Sequence, residues 1–276
     1  MLIPEMKTPR FDIHLGFFTV VFINGIISQS SVSEISDIFL SVLNSNLFFL
    51  FAFYVLFDLL IEGRDDISAN SLDYLICGVV ILSLLLFGRI GVSRDVGLTT
   101  AALAVFFWWR RETGNARYIA VVWFALTLNL LIAPLLFQIF KSYILIAEVD
   151  FVALMWRCLG FNVWSDGQLL VLEHGMKIRL IGACSVFTNL SFGFLCYASV
   201  KAFNRRRMSY SDVIIVASLI FLLILGNTIR IGLMLPSRAD YEFWHHGSGA
   251  TIFGLAQFFI IVAASYLSIR VRSSKC

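Results

Sequence analysis

Residues 212–235 read DVIIVASLIFLLILGNTIRIGLML, and no charged side chain lies between Asp212 and Arg230. A helix needs about 20 consecutive apolar residues to cross the hydrocarbon core of a bilayer, and this stretch meets that requirement. It therefore predicts a membrane-spanning helix. An arginine near one end of such a helix is costly in lipid, so it indicates a polar cavity or a contact with headgroups.

The same apolar pattern recurs along the chain. The other predicted spans are residues 13–27 (retained, with no signal-peptide cleavage site), 47–62 (with a possible start near Ile35), 71–90, 96–109, 118–140, 184–200 and 249–269. We therefore predict an all-α polytopic membrane protein with about eight transmembrane helices. The 276-residue chain is 59% hydrophobic and 14% charged, whereas soluble domains are about 25% charged. This composition excludes an ordinary soluble enzyme, a disordered chain and a nucleic-acid-binding protein.

One segment breaks the pattern between the fifth and sixth predicted spans. Residues 142–183 carry interspersed charges, and a backbone of this kind cannot cross lipid unpaired. Ile144–Leu159 is typical of an amphipathic helix, and Gln168–Leu180 alternates enough to predict a short β-hairpin or extended segment. We divide the single membrane domain into N-terminal transmembrane helices, 1–141, and this segment with a three-helix core, 142–276.

Loop charges predict the orientation. Lys and Arg are more numerous in the loops on the side of the N-terminus, and Arg205–Arg207 is the densest cluster. Because cytoplasmic loops carry an excess of these residues, we expect both termini inside and residues 142–183 outside.

A cysteine follows this outer segment in Gly182-Ala183-Cys184-Ser185. At the start of the next predicted helix, the thiol would feel the positive end of the helix dipole, which favours the thiolate. Two other interpretations stay open. Cys184 is a small buried residue, or it forms a structural disulfide with Cys158.

Arg230 and two histidines lie on the same predicted side of the membrane. Asn227 precedes Arg230 by nearly one turn on a similar helix face, and the alternative for Arg230 is snorkelling to headgroups. His245 and His246 precede the last span. Adjacent histidines on a helix point about 100° apart and rarely chelate together, so a general base is favoured over a metal ligand. A thiol, a guanidinium and an imidazole on one face are the components of cysteine acyl transfer.

These motifs resemble those of the exosortase/archaeosortase family of membrane-embedded cysteine transpeptidases. The resemblance rests on Cys184-Ser185, Asn227-x-x-Arg230-Ile231 and His245-x-x-x-Gly249 with Phe253, and it covers about residues 140–260. Val186 stands where the family commonly has glycine, which is typical of a divergent subgroup.

The resemblance implies a sorting enzyme in the cell (inner) membrane, with its active site on the outer (periplasmic) face. Its substrates would be exported proteins with a C-terminal signal similar to the PEP-CTERM type: a short motif, a transmembrane helix and a basic tail. Cys184 would be the nucleophile, His245 (alternatively His246) the proton carrier and Arg230 the anion stabiliser. Asn227 would orient Arg230, with Ser185 in support. The resemblance implies no cofactor, no metal and no nucleic acid.

Two other classes stay open. A non-enzymatic scaffold or transporter subunit would pair Arg230 with an acidic residue and seal Cys184 in apolar packing. A lipid- or glycan-modifying transferase would need paired carboxylates near these motifs.

Overall fold

The computed structural model describes residues 35–62, 92–109, 114–173 and 177–270, with the isolated positions Leu75 and Gly78. These residues are mostly helical. Those up to Ile132 form one compact unit together with Ala198–Arg207. Ala133–Tyr197 and the described residues from Met208 onward form a second unit. The predicted spans 13–27 and, apart from Leu75 and Gly78, 71–90 lie outside the described residues. The count of eight spans therefore stays a prediction.

The first unit contains helices α1 (Ile35–Glu62), α2 (Val92–Trp109) and α3 (Ala116–Thr127), and α3 runs into a π-helical segment, Leu128–Ile132. Helix α2 lies close to this segment, because a Cβ on Gly97 would stand only 2.7 Å from Cβ of Leu131. Buried hydroxyls of Thr100 and Thr127 lie 3.1 Å apart and link α2 to α3.

The α-helix resumes after the π-helical segment as α4, Ala133–Cys158, so one helix of 43 residues runs from Ala116 to Cys158. We predicted a span over 118–140 and a separate amphipathic helix over Ile144–Leu159, and the break between them was wrong. No glycine or proline interrupts 135–159, so charge alone suggested a boundary that the backbone does not have. Pro134 follows the π-helical segment, where a widened turn accommodates its missing N–H and its ring.

Helix α4 ends where the chain turns into a small sheet. Gly160 has a φ of +88°, which a residue with a side chain rarely adopts. The N–H of Phe161 donates to the carbonyl of Trp156, the N–H of Gly160 donates to the carbonyl of Arg157, and the Phe161 and Trp156 rings lie 4.8 Å apart. This is a Schellman motif with its apolar contact.

The sheet has three antiparallel strands in the order β1 (Val163–Asp166), β2 (Leu169–Leu172) and β3 (Lys177–Arg179). The predicted hairpin over 168–180 is confirmed as β2 and β3, with Leu170 opposite Ile178, and β1 is an additional strand. Gly167, with a φ of +58°, lies in the two-residue turn before β2. The inner face of the sheet packs on an apolar stripe of α4: Leu145, Val149, Val152 and Ala153.

The rest of the chain forms helices α5 (Phe187–Phe203), α6 (Tyr210–Leu233), α7 (Arg238–His245) and α8 (Ser248–Arg270). Among the described residues, three helices are long and apolar enough to cross a membrane: Ala116–Cys158, α6 and α8. Gly193 of α5 faces Leu223 of α6 and Ile261 of α8, so it allows these helices to pack closely. Gly232 of α6 faces Trp156 of α4.

Candidate active site

Cys184 ends a short 3-10 turn, Gly182–Cys184, that precedes α5. Its side chain is buried, with 5% of the residue exposed, and it belongs to the core that joins α4, the sheet and the end of α6. The expected position at a helix N-terminus was therefore imprecise, because α5 begins three residues later, at Phe187.

His245 is the last residue of α7, a helix that the sequence did not predict. Ser237 caps this helix by accepting a hydrogen bond from the backbone N–H of Asp240 at 3.1 Å. Helix α7 ends at His245 and α8 begins at Ser248, so both histidines precede the last helix, as expected. This placement brings Nε2 of His245 within 3.2 Å of Sγ of Cys184.

His246 lies behind His245 rather than at the thiol. Nε2 of His246 is 2.8 Å from Nδ1 of His245, so the two imidazoles form a hydrogen bond. Tyr241, one turn earlier in α7, stacks on the His245 ring with centroids 4.9 Å apart and planes within 13° of parallel. Sequence reasoning missed Tyr241, although its four-residue spacing from His245 places both on one helix face.

Arg230 lies in the last turn of α6 and is half-buried. Its Nε donates to the carbonyl of Trp244 at 3.2 Å, and its guanidinium carbon lies 5.3 Å from the centre of the Phe253 ring. These contacts hold the side chain inside the protein and do not fit the snorkelling alternative. Among the described residues, no carboxylate forms an ion pair with Arg230.

Asn227 does not orient Arg230 as we expected. Its Nδ2 donates to the backbone carbonyl of Cys184 at 2.9 Å, and its side chain is buried. A buried carbonyl at the end of a 3-10 turn needs such a donor, so Asn227 fixes the cysteine backbone.

Glu148 of α4 is a second residue that the sequence did not single out. Its Oε1 accepts a hydrogen bond from Oγ of Ser185 at 2.7 Å and another from the N–H of Val186 at 3.3 Å. No local motif signals this contact, because 37 residues separate Glu148 from Ser185.

Burial leaves the thiol and the imidazole as a neutral pair. Desolvation raises the pKa of Cys184 above its ordinary value; the Glu148 charge adds to this effect, and the Arg230 charge opposes it. Desolvation also lowers the pKa of His245, and the charges of His246 and Arg230 lower it further. The expectation that the surroundings of Cys184 favour its thiolate does not fit this environment, because desolvation outweighs the favourable charge of Arg230.

The disulfide alternative was also wrong, because Cys158 and Cys184 are both free thiols, with Cys158 exposed. Among the described residues, no group of three or more His, Cys, Asp or Glu side chains could hold a metal ion.

A comparison with protein families matches this chain to the transmembrane exosortase family over residues 42–262. The chain belongs to the transmembrane exosortase family. No curated protein matches the chain, and no solved structure matches it. The match covers most of the chain, including α4, the sheet and the residues around Cys184. The thiol, the two imidazoles and the guanidinium thus lie together in a mostly helical member of a transmembrane family.

Proposed function

We propose that this exosortase is a cysteine transpeptidase or peptidase that cleaves the C-terminal sorting signals of exported proteins. The observation that carries the proposal is the 3.2 Å contact between Sγ of Cys184 and Nε2 of His245. A nucleophile within hydrogen-bond reach of a base, with a third group orienting that base, is the arrangement of nucleophilic catalysis. Here the third group is His246, 2.8 Å from Nδ1 of His245.

Because the Cys184 thiol and the His245 imidazole are both neutral at rest, proton transfer between them accompanies the attack on the substrate. In the resting state we propose, Nε2 of His245 accepts a hydrogen bond from the S–H of Cys184. The neutral imidazole then carries its own proton on Nδ1, which donates a hydrogen bond to Nε2 of His246. As Sγ bonds to the scissile carbonyl carbon, the thiol proton moves to Nε2. The imidazolium then forms beside the developing oxyanion, and no charge separation is needed before substrate binds.

Arg230 supplies the positive charge for this oxyanion. Its Nε is occupied by the Trp244 carbonyl, and the described residues offer no hydrogen-bond acceptor for its terminal nitrogens. These N–H groups are available to an oxygen that becomes negative in the transition state. Bonding to Trp244 and packing on Phe253 hold the guanidinium in place before the reaction.

The remaining steps follow from the same groups. The C–N bond of the tetrahedral intermediate breaks, and Nε2 of His245 protonates the leaving amine. An acyl-enzyme thioester on Cys184 remains. An acceptor nucleophile or water then attacks the thioester while His245 takes its proton, and the thiol of Cys184 regains a proton as the product leaves.

The location of the site supports a substrate that is itself anchored in the bilayer. Arg230 and Asn227 lie near the end of the apolar helix α6, and His245 lies on α7, just before the apolar helix α8. We place this end of the helices on the outer face of the inner membrane. A substrate whose transmembrane helix lies in the same bilayer would present the peptide preceding that helix at this depth, and its basic tail would stay inside.

The test compares the C-termini of exported proteins in cells that carry the wild-type exosortase or Cys184→Ala. The proposal predicts a set of proteins that keep a C-terminal hydrophobic helix only in the mutant, with a shared motif before that helix. Cys158→Ala is the matched control, because the Cys158 thiol is free and exposed and takes no part in the proposed reaction. Identical C-termini in both strains, with substrates expressed, would favour a non-enzymatic scaffold.

A further inference from the structure

The turn that carries Cys184 is held from two sides. Asn227 binds the carbonyl of Cys184 at 2.9 Å, and Oε1 of Glu148 binds the N–H of Val186 at 3.3 Å. These two groups belong to successive peptide units, so the backbone on the C-terminal side of the thiol is fixed twice. Cys184 therefore has its orientation set by α6 and by α4.

Ser185 connects Glu148 to the start of helix α5. Its hydroxyl donates to Oε1 of Glu148 at 2.7 Å and accepts from the N–H of Phe187 at 3.2 Å. One carboxylate thus organises three residues between the 3-10 turn and the helix. The second oxygen, Oε2, is buried and has no hydrogen-bond partner in the described part of the chain.

The charge of Glu148 also bears on the thiol. The groups that act on Cys184 come from three elements: Glu148 on α4, Arg230 on α6, and His245 with Tyr241 on α7. Of these, Arg230 favours a thiolate, and Glu148 disfavours one. A carboxylate and an arginine thus oppose each other at the nucleophile.

We propose that Glu148 is a positioning residue of this site, which fixes the Ser185–Val186 junction and so holds the thiol of Cys184 in its contact with His245. The role in a reaction rests on the proposed function above. Glu148 does not touch the reacting atoms. It acts through the backbone that carries Cys184 and through its charge.

The experiment measures the pH dependence of Cys184 alkylation by iodoacetamide in the full-length protein in membranes, with the Cys184 peptide quantified by mass spectrometry. Glu148→Gln keeps the shape of the side chain and an oxygen that accepts from Ser185 and Val186, but it removes the charge. We expect the alkylation midpoint to fall below the wild-type value, because the negative charge beside the thiol is gone. Asp150→Asn is the matched control, because Asp150 is exposed on the same helix, and its midpoint should equal the wild-type value.

A second variant separates charge from position. Glu148→Asp keeps the charge but is one methylene shorter, so it cannot reach both Ser185 and Val186 as Glu148 does. Its alkylation midpoint should stay near the wild-type value while the sorting rate falls. The proposal is overturned if Glu148→Gln leaves the midpoint unchanged, or if Glu148→Asp lowers it as much as Glu148→Gln does.

The two proposals fail in different ways. Alkylation needs no substrate, so the midpoint shift is measurable even in a chain that cleaves nothing. Unchanged C-termini in Cys184→Ala cells would overturn the proposed function and leave the Glu148 result standing.

Discussion

Sγ of Cys184 and Nε2 of His245 lie 3.2 Å apart, although 61 residues separate them in the chain. Each belongs to a short element next to a long helix: the 3-10 turn before α5, and α7 between α6 and α8. Short elements of this kind bring side chains together at the ends of spans, where the long helices alone would direct them into lipid or into the core. The nucleophile and the base of the proposed reaction therefore lie on short elements outside the long apolar helices, whereas Arg230 comes from the last turn of one of them.

Replacing Cys184 tests whether this thiol is the nucleophile. Cys184→Ala should lower cleavage of a model sorting substrate by at least about a thousandfold, because loss of a nucleophile leaves only binding and oxyanion stabilisation. The measurement is the single-turnover rate in membrane vesicles. If Cys184→Ala kept the full cleavage rate, Cys184 would not be the nucleophile and the proposed mechanism would be wrong.

The two histidines should differ in importance. His245→Ala removes the group in contact with the thiol and should cost about 10² to 10⁴ in rate. His246→Ala removes only the partner of Nδ1, so we expect a smaller loss, of about tenfold, as for other residues that orient a ligand or base. The measurement is the cleavage rate of each variant at the same expression level. A larger loss in His246→Ala than in His245→Ala would make His246 the base.

The pH profile should reflect the lowered pKa of His245. Activity requires neutral His245, so it falls on the acid side as this imidazole gains a proton, at a pH below the ordinary value of 6.5. Burial and the charge of Arg230 lower this pKa, and the charge of Glu242 raises it. The acid limb of Glu242→Gln should therefore lie at a lower pH than that of the wild type. An acid limb that stays in place or moves to a higher pH in Glu242→Gln would contradict this account.

Arg230 should not tolerate lysine. Lys lacks the planar fork in which Nε binds the Trp244 carbonyl and further N–H groups remain for a second acceptor. Arg230→Lys should lower the limiting rate by about 10²-fold or more, the cost of losing an oxyanion donor, with a smaller change in apparent substrate affinity. A loss confined to substrate affinity would assign Arg230 to binding instead.

Gly232 should be required for stability. A Cβ on this residue would stand 1.7 Å from the Trp156 ring, whereas a Cβ on Gly254 would meet nothing within 4 Å. Gly232→Ala should therefore destabilise the protein by about 1–3 kcal/mol, as overpacking does, and Gly254→Ala should not. Thermal unfolding in detergent measures the stability of both variants. Equal melting temperatures would show that α4 and α6 can move apart at Trp156 without loss of stability.

Local patterns were sufficient for much of the fold. Apolar length predicted the helices that became α6 and α8, and alternation predicted the hairpin of β2 and β3. The false break near residue 141 arose because charge in a helix does not end it, whereas Gly160 does. Helix α7 was missed because a helix of eight residues has little periodicity to detect.

The site divides in the same way. Cys184, Arg230 and His245 stood out because such groups are unusual beside apolar spans. The partners of these groups did not stand out: Asn227 binds the Cys184 carbonyl, and Glu148 reaches Ser185 from 37 residues away. Contacts of this kind depend on tertiary packing, for which one sequence contains no periodic signal. The charge state of the thiol was misjudged for the same reason, because burial cannot be derived from position near a helix start.

The burial of Cys184 also concerns oxidation. Susceptibility of a cysteine to oxidants follows its thiolate character and its exposure, and at rest Cys184 has little of either, with 5% of the residue exposed. Cys158, in contrast, is an exposed free thiol. Among the cysteines that the structure describes, the exposed Cys158 is therefore the most open to oxidants, whereas packing shields the candidate nucleophile.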